Sequence, residues 1–246
     1  MDKKEWHEFS NILKRILGLE LDPVAINCSK VKAPDSDKSK VRICQAILSA
    51  AKGLPQIIDK KNNACLGAAW HLGFIKIRDK KATDMIKKFV VEGEKLFSSY
   101  QALDTLISQM EEVPDNSEAS FILSPLEKSD YKPDIVIFIC NPEQACRILT
   151  MITFIDGRMP KIKIGGPTCR MAIMYPLLTN EVNISFYDYT ARKICNIDKD
   201  KLLISIPYAM LPKIIENLDH CTAGRAKMEY PQGFREFVQK KLSKAT

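Results

Sequence analysis

The chain has 246 residues, with 37 Lys and Arg against 30 Asp and Glu for a formal charge of +7. Hydrophobic residues are 46% and charged residues 27%, a globular balance that excludes extended disorder and supplies a sizeable core. The longest apolar runs, such as Ile135 to Cys140, are too short to span a bilayer, and the basic clusters Lys38, Lys40, Arg42 and Lys76, Arg78, Lys80, Lys81 lack interleaved aromatics, so neither a membrane nor a nucleic-acid partner is expected.

Trp6, Phe9, Ile12, Leu13, Ile16 and Leu17 recur at three- and four-residue spacing, which predicts an opening amphipathic helix ended by Gly18. This segment has neither the uninterrupted apolar core nor the cleavage site of a signal peptide, so a cytoplasmic location is expected. The eight cysteines (28, 44, 65, 140, 146, 169, 195, 221) are then expected to stay reduced, which favours packing, metal ligation or thiol chemistry over disulfides. Pro23 leads into a short strand, Val24 to Asn27, with Cys28 at its end, and the lysine-rich Ser29 to Lys40 reads as a loop suited to act as a flap.

Residues 41–51, VRICQAILSAA, predict a helix that carries Cys44 and is closed by Gly53. After the apolar run 54–58, Asn62 or Asn63 can cap a helix in ACLGAAWHLG, placing Cys65 in its first turn beside Gly67, Ala68 and Ala69, small residues that permit close approach. Phe74 to Ile77 is expected as a strand, and 81–93 and 94–110 as helices. The acidic, Pro- and Asn-containing stretch around 113–120 is the best internal boundary, read as a loop inside a single domain spanning 1–246.

Beyond it, strands are expected at 121–123, 135–140, 161–164, 183–187 and 202–206, with helices at 142–154, 168–178, 190–197 and 209–218 and a final amphipathic helix in PQGFREFVQKKL. The fold class is therefore α/β, a layered sheet with a helix-rich N-terminal part and alternating strands and helices in the C-terminal half, admitting some antiparallel pairing.

Loops at the carboxyl ends of parallel strands collect binding groups. Here those ends carry Cys140, Asn141 and Glu143, then Gly165 to Cys169, then Tyr187, Asp188 and Arg192. In KIKIGGPTCRMAIMY (161–175), Gly165 and Gly166 allow a tight turn, Thr168 caps the following helix, and Cys169 sits at its positive end, where a thiolate is favoured. Cys44, Cys65 and Cys169 are the candidate ligands for an iron–sulfur cluster or another thiolate-bound metal, provided the fold unites them. No C-x-x-C is present, which keeps simple packing as the competing reading.

Two alternatives stand beside this one. In a thiol enzyme, Cys169 is the nucleophile, Asn141 or the GGPT amides stabilise an anion, and Tyr187 or Asp188 handles protons. In a small-ligand or interaction module, the cysteines only line a pocket and the lysine-rich loop is its lid. His71, beside Trp70 and Phe74, reads as a core or boundary histidine, and Cys28, Cys146 and Cys195 as packing. The chain has no P-loop, G-x-G-x-x-G, G-x-S-x-G or H-E-x-x-H.

The segments PVAI (Pro23 to Ile26), ICQAILSAAKG (Ile43 to Gly53), CLGAAWHLGF (Cys65 to Phe74), IFICNPEQA (Ile137 to Ala145), GGPTC (Gly165 to Cys169) and ISIP (Ile204 to Pro207), in this order, resemble the domain of unknown function 169 family over roughly Leu17 to Leu218. The resemblance implies a soluble prokaryotic protein, common in anaerobes, with no agreed activity. It marks Cys44, Cys65, Gly67, Asn141, Pro142, Gln144 and Cys169 as recurring features. Gly67, Asn141, Gln144, Gly165, Gly166 and Thr168 are accordingly the expected cofactor-binding positions, with an unidentified small molecule or redox partner.

Overall fold

In the computed structural model, which describes residues 3–29, 39–76 and 79–243, the amphipathic opening segment forms α1 (Lys3–Leu17), and Gly18 at φ +62 turns the chain out of it. Trp6, Phe9, Leu13 and Leu17 are buried, and the Trp6 Nε1–H donates to Ser129 O at 3.1 Å. The chain continues through β1 (Val24–Ser29), α2 (Ile43–Ala51), β2 (Gln56–Ile58), α3 (Leu66–His71) and α4 (Lys80–Lys88). A π-helical turn, Phe89–Gly93, extends α4 before α5 (Tyr100–Ser108), β3 (Ser120–Pro125), β4 (Ile135–Cys140) and α6 (Pro142–Asp156). A second π-helical turn, Arg170–Met174, runs into α7 (Tyr175–Thr179), followed by β5 (Asn183–Ser185), α8 (Tyr189–Cys195), β6 (Leu202–Pro207), α9 (Leu211–Glu216) and α10 (Phe234–Leu242).

The strands form one sheet in the order β2-β3-β1-β4-β6-β5, and every pairing among them is antiparallel. The α/β class holds. The sheet is not the parallel one expected, although β4 and β5, both antiparallel to β6, point the same way; their ends part because the chain after β4 enters α6 on one face of the sheet while Tyr187 after β5 packs on the other. All six residues of β4 are buried, and the two-residue period splits them between two cores. Ile135, Ile137 and Ile139 join α2, α3 and the Arg170–Met174 turn, while Val136, Phe138 and Cys140 pack beneath α1, α6 and α9.

Three segments differ from expectation. Lys161 to Ile164 is not a strand: the Lys163 N–H donates to Asn183 Oδ1 at 2.8 Å and Lys161 O accepts from the Tyr175 hydroxyl at 2.8 Å, so side chains take the place of a ladder partner. Phe74 and Ile75 form a bend, and Ile77 lies outside the described residues, as do positions 30–38 of the proposed flap, Lys38 and Arg78. The helix expected from residue 94 begins at Tyr100, where Ser99 Oγ accepts the Ala102 N–H at 3.2 Å. The stretch around 113–119, expected as a loop, is one, and it is pinned to the end of α3: Asn116 Nδ2 donates to Leu72 O at 2.8 Å and its backbone N–H to Gly73 O at 2.9 Å, and β3 then enters the sheet directly.

Asn141 and Gln144 form a reciprocal cap on α6, with the Gln144 N–H donating to Asn141 Oδ1 and the Asn141 N–H to Gln144 Oε1, each at 2.9 Å. Gln144 Nε2 also donates to Leu17 O and Gly18 O at 3.1 and 2.9 Å, clamping the end of α1 to the start of α6. Gln144→Ala is expected to leave these carbonyls unpartnered and to cost about 1–3 kcal/mol, read as a lower urea midpoint with an unchanged m-value.

Candidate functional site

Three elements far apart in the chain deliver thiols to one place. Cys44 is the second residue of α2, and Cys65 is the N-cap of α3, its Sγ accepting the Ala68 N–H at 3.4 Å. Asn63 Nδ2 holds Cys65 O at 2.7 Å, so the Asn pair fixes the approach to the helix rather than capping it. Cys169 immediately precedes the Arg170–Met174 turn. All three line a cavity of about 390 Å³, together with Gly67, Gly165, Gly166, Thr168, Tyr187 and Asp188. Asn141 and Gln144 are not part of it, since α6 packs on the opposite face of the sheet.

The outer wall of the cavity is a helical cap made of α4, the Phe89–Gly93 turn and α5. Ile86, Val90, Leu103 and Leu106 face the cavity, and a Lys87–Asp104 ion pair at 2.5 Å joins the two helices. The apolar periodicity of these helices marks a cavity wall rather than a face closed against the core. Among the described residues, no group of three or more His, Cys, Asp or Glu side chains is assembled to hold a metal ion.

The thiols are not alike. Burial pushes the Cys169 thiol well above its ordinary range, reinforced by Cys65, Asp188 and Cys44 and opposed by Arg170. The expected helix-start thiolate is thus replaced by a protonated thiol. Desolvation of a fully buried sulfur outweighs the dipole of a five-residue turn. Cys44 is pushed up by the hydrogen bond it donates to Cys195 and by burial, while Cys195, half-buried at the end of α8, is held down by accepting that bond and by Arg42. Sequence spacing gave no sign of this pair, because only the packing of α2 on α8 brings the two together.

Asp188 is tied into the backbone rather than free to move protons. Its Oδ2 accepts from the Thr168 N–H at 3.0 Å and the Thr168 hydroxyl at 2.8 Å, and its Oδ1 from the Ala191 N–H at 2.8 Å, which caps α8. It therefore fastens the GGPT loop to α8. Tyr187 is held at φ +56, and burial pushes its phenol well above the ordinary range.

His71, expected as a core or boundary residue, also lines the cavity together with Trp70, and the two rings pack edge to face at 4.7 Å. Burial, then the Arg170 charge, lowers the His71 pKa to about 3, so the ring is neutral when folded. Its contribution to stability is complete above the ordinary histidine value of about 6.5 and is lost as pH falls from there toward 3. Urea unfolding between pH 7 and 4 is expected to show a decline of about one kcal/mol per pH unit that His71→Gln flattens.

The profile of a family described as uncharacterised ArCR, domain of unknown function 169, matches residues 12–217. An uncharacterised protein of Methanocaldococcus jannaschii is 24% identical over 231 residues, which cover 89% of this chain and 96% of that protein. No solved structure matches the chain.

Proposed function

The chain belongs to the domain of unknown function 169 family, and from that premise, which carries no stated activity, we propose that it is a cytoplasmic protein binding a small organic ligand or cofactor in its cysteine-walled cavity. The supporting observation is the cavity of about 390 Å³ itself, walled by thiols on one side and by an apolar helical cap on the other. Its size falls in the roughly 300–1,000 Å³ span of small-molecule sites, as does the mix of many apolar residues with a few polar groups.

Native mass spectrometry of protein purified without oxygen tests this reading. A retained non-covalent mass is expected in the wild type and not in Leu103→Trp, which fills the cavity from the cap. A wild type that retains nothing and takes up no apolar probe would overturn it.

The convergence of Cys44, Cys65 and Cys169 favours a second reading, a thiolate-bound metal or iron–sulfur cluster served by a redox partner. Gly67, Gly165 and Gly166 leave the same wall free of side chains. A cluster distributes its ligands over several metal atoms and spans more widely than one ion, and metal binding displaces thiol protons. Iron and sulfide analysis with a visible spectrum decides it, and a colourless, metal-free anaerobic preparation counts against it. A Cys169 nucleophile finds less support, given its protonated thiol and the saturated carboxylate of Asp188.

A further inference from the structure

Buried polar atoms without partners are not spread evenly through this protein. Among the described residues eight such side-chain atoms occur, and five belong to the cavity wall or to residues next to it in the chain: Trp70 Nε1, His71 Nδ1 and Tyr187 Oη on the wall, Arg170 Nε and Glu111 Oε2 beside it. Trp70, His71 and Tyr187 line the cavity and are 3%, 8% and 5% exposed; Arg170 and Glu111 directly follow the lining residues Cys169 and Met110. Native interiors satisfy nearly all such atoms, so a concentration of this kind at a cavity marks missing partners.

Arg170 is the most telling of them. It is 1% exposed, donates through Nη1 to Glu111 O at 3.1 Å, and has no ion pair among the described residues. The Glu111 carboxylate is engaged by Lys163 at 2.6 Å instead. The Glu111 charge reaches Arg170 without a direct ion pair, and a buried guanidinium so incompletely paired is costly. Nearby, the Trp70 N–H and the Tyr187 O–H are donors in want of acceptors. The carboxylates on the cavity wall do not answer this need: Asp188 is saturated by Thr168 and Ala191, and Glu94 belongs to the cap.

We infer that the ligand of this cavity is an organic acid, whose anionic, acceptor-rich end lies toward Trp70 and Arg170 and whose apolar body lies beneath the cap formed by Val90, Leu103 and Leu106. This rests on the organic-ligand reading above and supplies its chemical class. The cavity wall combines these donors with an apolar surface, a combination that suits an amphiphile.

Octanoate and octanol, equal in carbon number, separate the two contributions. By titration calorimetry octanoate is expected to bind at least tenfold more tightly than octanol. Trp70→Phe, which removes the N–H and keeps an aromatic ring, is expected to weaken octanoate about tenfold while leaving octanol unchanged. Arg170→Lys is expected to do the same, with thermal melts confirming that both variants fold. Octanol binding as tightly as octanoate, octanoate indifferent to both variants, or neither probe binding would each overturn the acid assignment. In the first two cases the cavity still binds and the broader reading stands; that reading falls only if no native mass is retained as well.

Discussion

Gly73→Ala is expected to destabilise the protein by about 3 kcal/mol or more, the largest single-methyl effect we anticipate. Gly73 ends α3 at φ +82, where an L side chain is strained, and a Cβ there would lie 2.3 Å from Pro114 O and 2.9 Å from a Val113 methyl. The first of these is backbone and cannot rotate away. The same glycine accepts the Asn116 N–H, so relief by movement would break the bond that docks 113–119 on α3. Urea unfolding measures the loss. Because Trp70 and His71 precede this junction and Met110 and Glu111 lead into its partner, octanoate binding is expected to weaken along with stability. A variant as stable as wild type would mean that the loop is not held there.

Thiol labelling is expected to rank the cysteines by burial rather than by placement at helix starts. With N-ethylmaleimide at neutral pH, exposed Cys146 reacts first, and buried Cys169 and Cys140 react at least about a thousandfold more slowly, through opening of the fold. Rapid labelling of Cys169 would contradict the protonated, enclosed thiol described above. The same burial sets an alkaline limit. Desolvation raises Cys140 to about 12 in the folded protein, against about 8.5 for a free thiol. Its stabilising effect is whole below the unfolded value and is lost as pH rises from there to about 12, at up to about 1.4 kcal/mol per unit. Melting temperatures are expected to fall above pH 9, less steeply in Cys140→Ala.

The sequence made the local features legible and left the spatial ones hidden. The spacing from Trp6 to Leu17 defined α1, and the run Ile135 to Cys140 defined the central strand, because periodicity and β-branching act within a few residues. The trio Cys44, Cys65 and Cys169 was legible as positions beside small residues, and all three line the cavity, although among the described residues they form no group assembled to hold a metal ion. Asn141 and Gln144 shared the same motif prominence, yet their hydrogen bonds clamp α6 to α1 on the far side of the sheet. Nothing local distinguishes a polar pair that caps from one that binds. The state of Cys169 was missed for a related reason: the helix-end effect is read from neighbours in sequence, whereas the desolvation that defeats it comes from packing.

The place of β1 between β3 and β4 also bears on how the chain is made. On the ribosome β1 emerges first, but its two sheet neighbours begin only at Ser120 and Ile135. At synthesis rates of about 5–20 residues per second, the apolar segment Val24 to Ile26 stays without either backbone partner for about 5–20 seconds. During that interval it depends on α1, α2 or a chaperone for cover, so synthesis rate and chaperone supply should govern the soluble yield more strongly than the stability of the finished fold.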